Sequence, residues 1–129
     1  MNILVIEDNE QNLYLVRFLM EARGHRIVEA RDGPEGIATA QTALPDLILL
    51  DIQLPQMDGY AVARALRENS ALDGVPIVAV TSYAMNGDQV KALAAGCDGY
   101  LEKPIDPDTF PIQVEAAAAA GRRSQEGAA

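Results

Sequence analysis

Three short runs of the chain, residues 3–6 (I-L-V-I), 47–50 (L-I-L-L) and 77–80 (I-V-A-V), are apolar throughout. A strand with one wet face alternates apolar and polar residues, so runs without alternation predict strands covered on both sides, as in a parallel sheet. Weaker strand patterns occupy 26–29 (R-I-V-E) and 99–102 (G-Y-L-E). Between them the period lengthens. Leu13, Val16, Leu19 and Met20 recur on one face of a helix over 10–23, and Gly24 supplies its stop. Further helices are predicted over 34–43, 60–68, 88–95 and 108–119, the fourth ended by Gly96.

The order is (βα)5. It predicts an α/β fold with a doubly wound, five-stranded parallel sheet, right-handed crossovers, and a ligand site at the carboxyl ends of the strands. One domain is expected over residues 1–119, followed by a C-terminal tail, 120–129, whose last residues lack apolar periodicity and are expected to be disordered. The last helix contains a local conflict. Asp106 and Pro107 look like an N-cap and a first helical residue, yet Pro111 would then lack the N–H owed to Pro107. With Asp108 as the cap, Pro111 falls at the third position and loses nothing, so the later start is expected.

Composition narrows the function. Of 129 residues, 49% are hydrophobic and 22% charged, as in soluble globular proteins, and no apolar run approaches the ~18 residues of a membrane span. The first residues carry no basic segment of a secretion signal, so a cytoplasmic location and no membrane partner are expected. A net charge of −9 repels phosphate backbones, which excludes direct nucleic-acid binding from the expectations and favours protein or metal partners. The single cysteine, Cys97, reads as a small buried hydrophobe, and His25, in the turn G-H-R, as a surface residue.

The chemistry lies in the residues that close the strands. Glu7 and Asp8 follow the first, Asp51 ends the third, Thr81 ends the fourth and Lys103 follows the fifth, which places all of them at one edge of the sheet. An ionised carboxylate beside a buried strand is costly unless paired. Three converging acids repel one another unless a cation shares the site, and their oxygens suit Mg²⁺, with Lys103 as a second counter-charge.

These motifs, E-D-N after the first strand, D-I-Q-L-P-Q-M-D-G at the third, V-T-S-Y-A-M at the fourth and Y-L-E-K-P-I at the fifth, resemble the receiver domain of bacterial response regulators. The resemblance covers residues 1 to about 119 and implies the flavodoxin-like strand order 2-1-3-4-5. It further implies a phosphoacceptor signalling protein of a two-component system or phosphorelay, a switch and not a classical enzyme. Asp51 takes a phosphoryl group from a phosphohistidine on a sensor histidine kinase or a histidine phosphotransfer protein, and a downstream protein reads the result. Asp8, Asp51 and the main-chain carbonyl of Gln53 are the implied direct Mg²⁺ ligands, with Glu7 acting through water. Thr81 and Lys103 complete the catalytic set, and the Lys103–Pro104 bond is expected to be cis. The implied switch pairs Thr81 with Tyr100, whose ring moves into space that the threonine vacates. The donor is expected to dock on Asn12, Leu13 and Val16 of the first helix and on Pro104 and Ile105, with Tyr83 gating the site or touching the partner. Gly59, by permitting positive φ, and Pro55 shape the loop after Asp51. Relatives signal through the fourth and fifth helices, so the late start of the last helix puts family-type dimerisation in doubt.

Other readings fit less well. Haloacid-dehalogenase-type phosphatases also use an aspartyl phosphate, but place a second Asp two residues after the nucleophile, where this chain has Gln53. A flavodoxin-like cofactor binder needs a first loop that welcomes phosphate, and E-D-N-E repels it. A receiver fold kept only for binding, or a module cut from a hybrid histidine kinase, would share the same motifs.

Overall fold

The computed structural model describes residues 1–82 and 87–122. The elements run β1 (Asn2–Ile6), α1 (Glu10–Glu21), β2 (Arg26–Ala30), α2 (Gly33–Ala43), β3 (Leu47–Asp51), α3 (Gly59–Arg67), a 3-10 turn (Ser70–Leu72), β4 (Ile77–Thr81), α4 (Asp88–Ala94), β5 (Gly99–Glu102) and α5 (Phe110–Ala120). The strands form one parallel sheet in the order β2-β1-β3-β4-β5. No helix among the described residues is long and apolar enough to cross a membrane.

Alternation along the strands explains the missing polar positions. Leu4, Ile6, Ile48, Leu50, Ile77 and Ala79 point to one face, where Ala40 of α2, Val62 and Leu66 of α3 and Ala92 of α4 cover them. Ile3, Val5, Leu47, Leu49 and Val78 point to the other, under Leu13, Val16 and Met20 of α1 and Phe110 and Val114 of α5. Each such large side chain contributes about 1.5–3 kcal/mol by leaving water. Helix starts are set at the carboxyl edge of the sheet. The side chains of Asn9, Asp32 and Asp58 accept from the amides of Asn12, Glu35 and Ala61, at 3.0, 2.8 and 2.9 Å.

The last helix starts late, one residue beyond the expected place. Thr109 and not Asp108 is its N-cap, and Pro111 sits in its first turn. Asp106 organises the approach: its carboxylate accepts from the Asp108 amide at 2.9 Å, and its carbonyl accepts from Thr109 and Phe110 at 3.2 and 2.8 Å. That turn uses the carbonyl before Pro107, so the N–H that Pro111 lacks is never required.

Two polar clusters tie down the opposite end of the sheet. Asp98, 6% exposed, accepts from Arg67 of α3 at 2.7 Å, from the Ile77 amide at 3.0 Å and from Arg122 at 2.9 Å. Arg122, inside the stretch expected to be tail, also bonds the Asp73 carbonyl. His25 is not a plain surface residue. Only 13% of its side chain is exposed, and Nε2 lies 2.8 Å from Glu115, which also pairs with Arg23. A turn residue thus locks α5 to the end of α1, a long-range contact that local sequence does not announce. Cys97 is buried as expected, and burial pushes its thiol up to about 12.

Candidate functional site

The carboxyl edge gathers the expected residues. Pairing continues one residue past β1, where the Glu7 amide bonds the Ala30 carbonyl at 2.9 Å, so Glu7 is turned inward and buried while Asp8 is exposed. Asp51 and Thr81, at the ends of adjacent central strands, are 4% and 2% exposed. The Lys103 amide bonds the Thr81 carbonyl at 2.8 Å, which carries β5 pairing one residue further and delivers the lysine to the same edge. The Lys103–Pro104 peptide is cis.

The side chains then converge. Lys103 Nζ is 2.8 Å from Glu7 Oε1 and 3.4 Å from Asp51 Oδ2. Asp51 Oδ1 accepts from the Gln53 amide at 2.9 Å. Burial and a hydrogen bond shared with Glu7 push the Asp51 carboxyl up to about 7. For Glu7 burial acts in the same direction, but the bond to Asp51 and the Lys103 ammonium outweigh it and bring that carboxyl below its ordinary value. Burial acts to lower Lys103, and the two carboxylates more than reverse it. Two buried acids thus face one cation, and burial favours the neutral form of Asp51.

Carboxylate oxygens of Glu7, Asp8 and Asp51 all lie within 4.8 Å of one another. An all-oxygen donor set with one exposed member, able to keep water on its open side, fits a hard, reluctantly dehydrated ion such as Mg²⁺.

Gly59 serves the site differently from the expectation. It is not among the residues with positive φ. A Cβ there would stand 2.5 Å from Ile52 Cα and 2.8 Å from the Asp51 carbonyl, so the residue is needed for close approach of α3 to the loop after β3.

The expected partner surface requires correction on α1. Leu13 and Val16 are 2% and 4% exposed and pack on the sheet, because the face that buries them is the one whose spacing identified the helix. The exposed large hydrophobic side chains of α1 are Tyr14, at 70%, and Phe18, at 61%, with ring centroids 6.4 Å apart. Asn12 and Ile105 are half-buried and Pro104 is exposed. Tyr83 lies outside the described residues. Tyr100 is half-buried and packs on the core of β1, β3 and β4. It also lines a groove of about 440 Å³ between β5 and α5, together with Glu102, Thr109 and Gln113.

One further side chain at this edge escapes the sequence reading. The Gln53 amide nitrogen donates to Thr81 Oγ1 at 2.9 Å, and its oxygen accepts from the Ser82 amide at 3.2 Å. The motif drew attention to the main chain of residue 53, and no local signal showed that its side chain crosses to the end of β4.

Comparison with known proteins adds independent support. Residues 3–115 match the family described as response regulator receiver domain. The polar-differentiation response regulator DivK of Brucella anthropi is 40% identical over 109 residues, spanning 84% of this chain and 89% of that protein. The chemotaxis protein CheY4 of Vibrio cholerae superposes with a TM-score of 0.86 at 28% identity, over 90% of this chain and 97% of that one. The receiver domain of sensor histidine kinase PA1611 from Pseudomonas aeruginosa PAO1, solved with a magnesium ion coordinated in its active-site cleft, gives 0.83 at 31% identity, over 92% and 97% of the two chains.

Proposed function

This chain belongs to the response regulator receiver domain family, and from that premise we propose that Asp51 is its phosphoacceptor and that Glu7, Asp8, Thr81 and Lys103 serve it. The function is phosphoacceptor signalling in a two-component system. The observation that carries the residue assignment is the Lys103 ammonium, set between Glu7 and Asp51 at the edge where three acids converge.

The donor is a phosphohistidine on a histidine kinase or a histidine phosphotransfer protein. An Asp51 carboxylate oxygen attacks phosphorus in line with the P–N bond; the new P–O bond forms as P–N breaks, and the electron pair leaves with the imidazole. Glu7, Asp8, Asp51 and the Gln53 main-chain carbonyl would hold Mg²⁺, Glu7 through water, and the bound ion would supply positive charge to one phosphoryl oxygen. Lys103, a compact charge on a flexible stem, neutralises a second oxygen, and the Thr81 hydroxyl donates to a third. The site catalyses its own loading, and attack of water on the acyl phosphate later empties it.

Loading changes which surface is presented. The bond from Thr81 to the phosphoryl group selects a minor conformer, and the Tyr100 ring fills the space the threonine leaves. One charge-assisted hydrogen bond supplies about 1.5–3 kcal/mol, enough for a shift of one to two decades in population. A downstream protein reads the new surface.

The test is loading by phosphoramidate, a small molecule with the P–N bond of phosphohistidine. In Mg²⁺ buffer it modifies Asp51 of the wild type and leaves Asp51→Asn untouched. Equal modification of both proteins contradicts the assignment.

A further inference from the structure

The Gln53 side chain spans two loops, and its chemistry fixes its orientation. Ser82 offers it a main-chain N–H, which can only donate, so the amide oxygen must face Ser82 and the nitrogen must face Thr81. The Thr81 hydroxyl is therefore an acceptor toward Gln53, and its own proton points elsewhere. The main-chain N–H of the same glutamine donates to Asp51 Oδ1 at 2.9 Å. Residue 53 thus binds the carboxylate on β3 with its main chain, and both the hydroxyl and the amide that leave β4 with its side chain.

Resting on the reading of Asp51 as phosphoacceptor, we propose that Gln53 is a positioning residue whose side chain brackets Thr81 and Ser82 in the unphosphorylated protein. The bracket acts as a brake on the switch. Moving the end of β4 relative to the loop after β3 strains or breaks two hydrogen bonds at once. Phosphorylation also acts on the bracket's anchor, since converting the Asp51 carboxylate to an acyl phosphate removes charge from the oxygens that the Gln53 amide binds. Gln53 therefore ties the covalent state of Asp51 to Thr81 and Ser82 at the end of β4. Without the bracket, the resting arrangement of Thr81 loses its advantage over the phosphorylated one.

The test compares wild type, Gln53→Met and Gln53→Glu in metal-free, unphosphorylated form. Methionine keeps the length and loses both bonds; glutamate keeps an acceptor for Ser82 and loses the donor to Thr81. Hydrogen exchange at the Ser82 amide should be about tenfold faster in Gln53→Met, the scale of one lost neutral hydrogen bond, and close to wild type in Gln53→Glu. In Gln53→Met, the NMR signals of Thr81 should also move part of the way along the line that the wild type follows when Mg²⁺ and beryllofluoride are added. Ser82 protection in Gln53→Met equal to wild type, or Thr81 signals that move off that line, would overturn the bracket. Because resting-state exchange needs no phosphorylation, such a failure is separate from failure of the Asp51 assignment, which shows instead as a wild-type protein that acetyl phosphate does not label.

Discussion

Lys103 holds its ammonium 2.8 Å from the Glu7 carboxylate, joining the residue after β5 to the residue after β1 across the carboxyl edge of the sheet. The contact to Asp51 is longer, 3.4 Å, so Lys103 leans on Glu7; on the proposed assignment of Asp51 as phosphoacceptor, that leaves the ammonium available to an incoming phosphoryl oxygen. Lys103→Met leaves two buried acids without their cation. Labelling by acetyl phosphate should fall about a hundredfold or more, the usual scale for removing one donor that stabilises transition-state charge, while far-ultraviolet circular dichroism stays native. Labelling at the wild-type rate would show that the lysine is only structural.

Metal affinity should depend on pH near neutrality. Burial and the bond with Glu7 push Asp51 up to about 7, so a proton competes there with a cation as pH falls through neutrality. The raised value favours the neutral acid, so Mg²⁺ binding weakens as pH falls below about 7 and releases protons in that range. Titration calorimetry in buffers of different ionisation enthalpy measures the release. Affinity that stays flat between pH 6 and pH 8 would contradict the upward shift of Asp51.

The two faces of α1 separate stability from recognition. Leu13→Asp buries a charge in the core under α1 and should cost about 3 kcal/mol or more, visible as a large drop in denaturant midpoint. Phe18→Asp changes a residue 61% exposed, with an expected change in stability of about 0.5 kcal/mol or less. It should slow transfer from a phosphorylated protein donor and leave acetyl phosphate labelling unchanged. Transfer from the protein donor at the wild-type rate would remove the Tyr14–Phe18 face from the docking surface.

Acid stability is tied to Glu115. Hydrogen bonds from Arg23 and then His25 hold its carboxyl at about 2, against an ordinary 4.5. A depressed carboxyl stabilises the fold fully above its unfolded value and loses that contribution as pH falls from about 4.5 toward 2. Glu115→Gln should therefore melt lower than wild type at pH 6, with the gap closing through this window. A gap that stays constant down to pH 2 would contradict the pairing.

Much of this was legible in the sequence, for physical reasons that differ by element. Ile3, Leu49 and Val78 sit in strands buried on both faces, so the missing alternation named the parallel sheet directly. Asp51, Thr81 and Lys103 follow or end such strands, and topology alone then puts them at one edge. Leu13 and Val16 show where the same reasoning fails: apolar spacing identifies a helix through its buried face, so it cannot also identify the exposed one. The Gln53 bracket, the Asp98–Arg122 pair and the His25–Glu115 contact join positions distant in the chain through side-chain geometry, which local pattern does not encode.

Adduct mapping after treatment with acetyl phosphate tests the assignment of Asp51 most directly. In Mg²⁺ buffer the wild type should carry one phosphoryl group, on the peptide containing Asp51, and EDTA or Asp51→Asn should abolish it. An adduct that persists in Asp51→Asn would contradict the phosphoacceptor proposed for this chain, and one that forms equally well in EDTA would contradict its metal site.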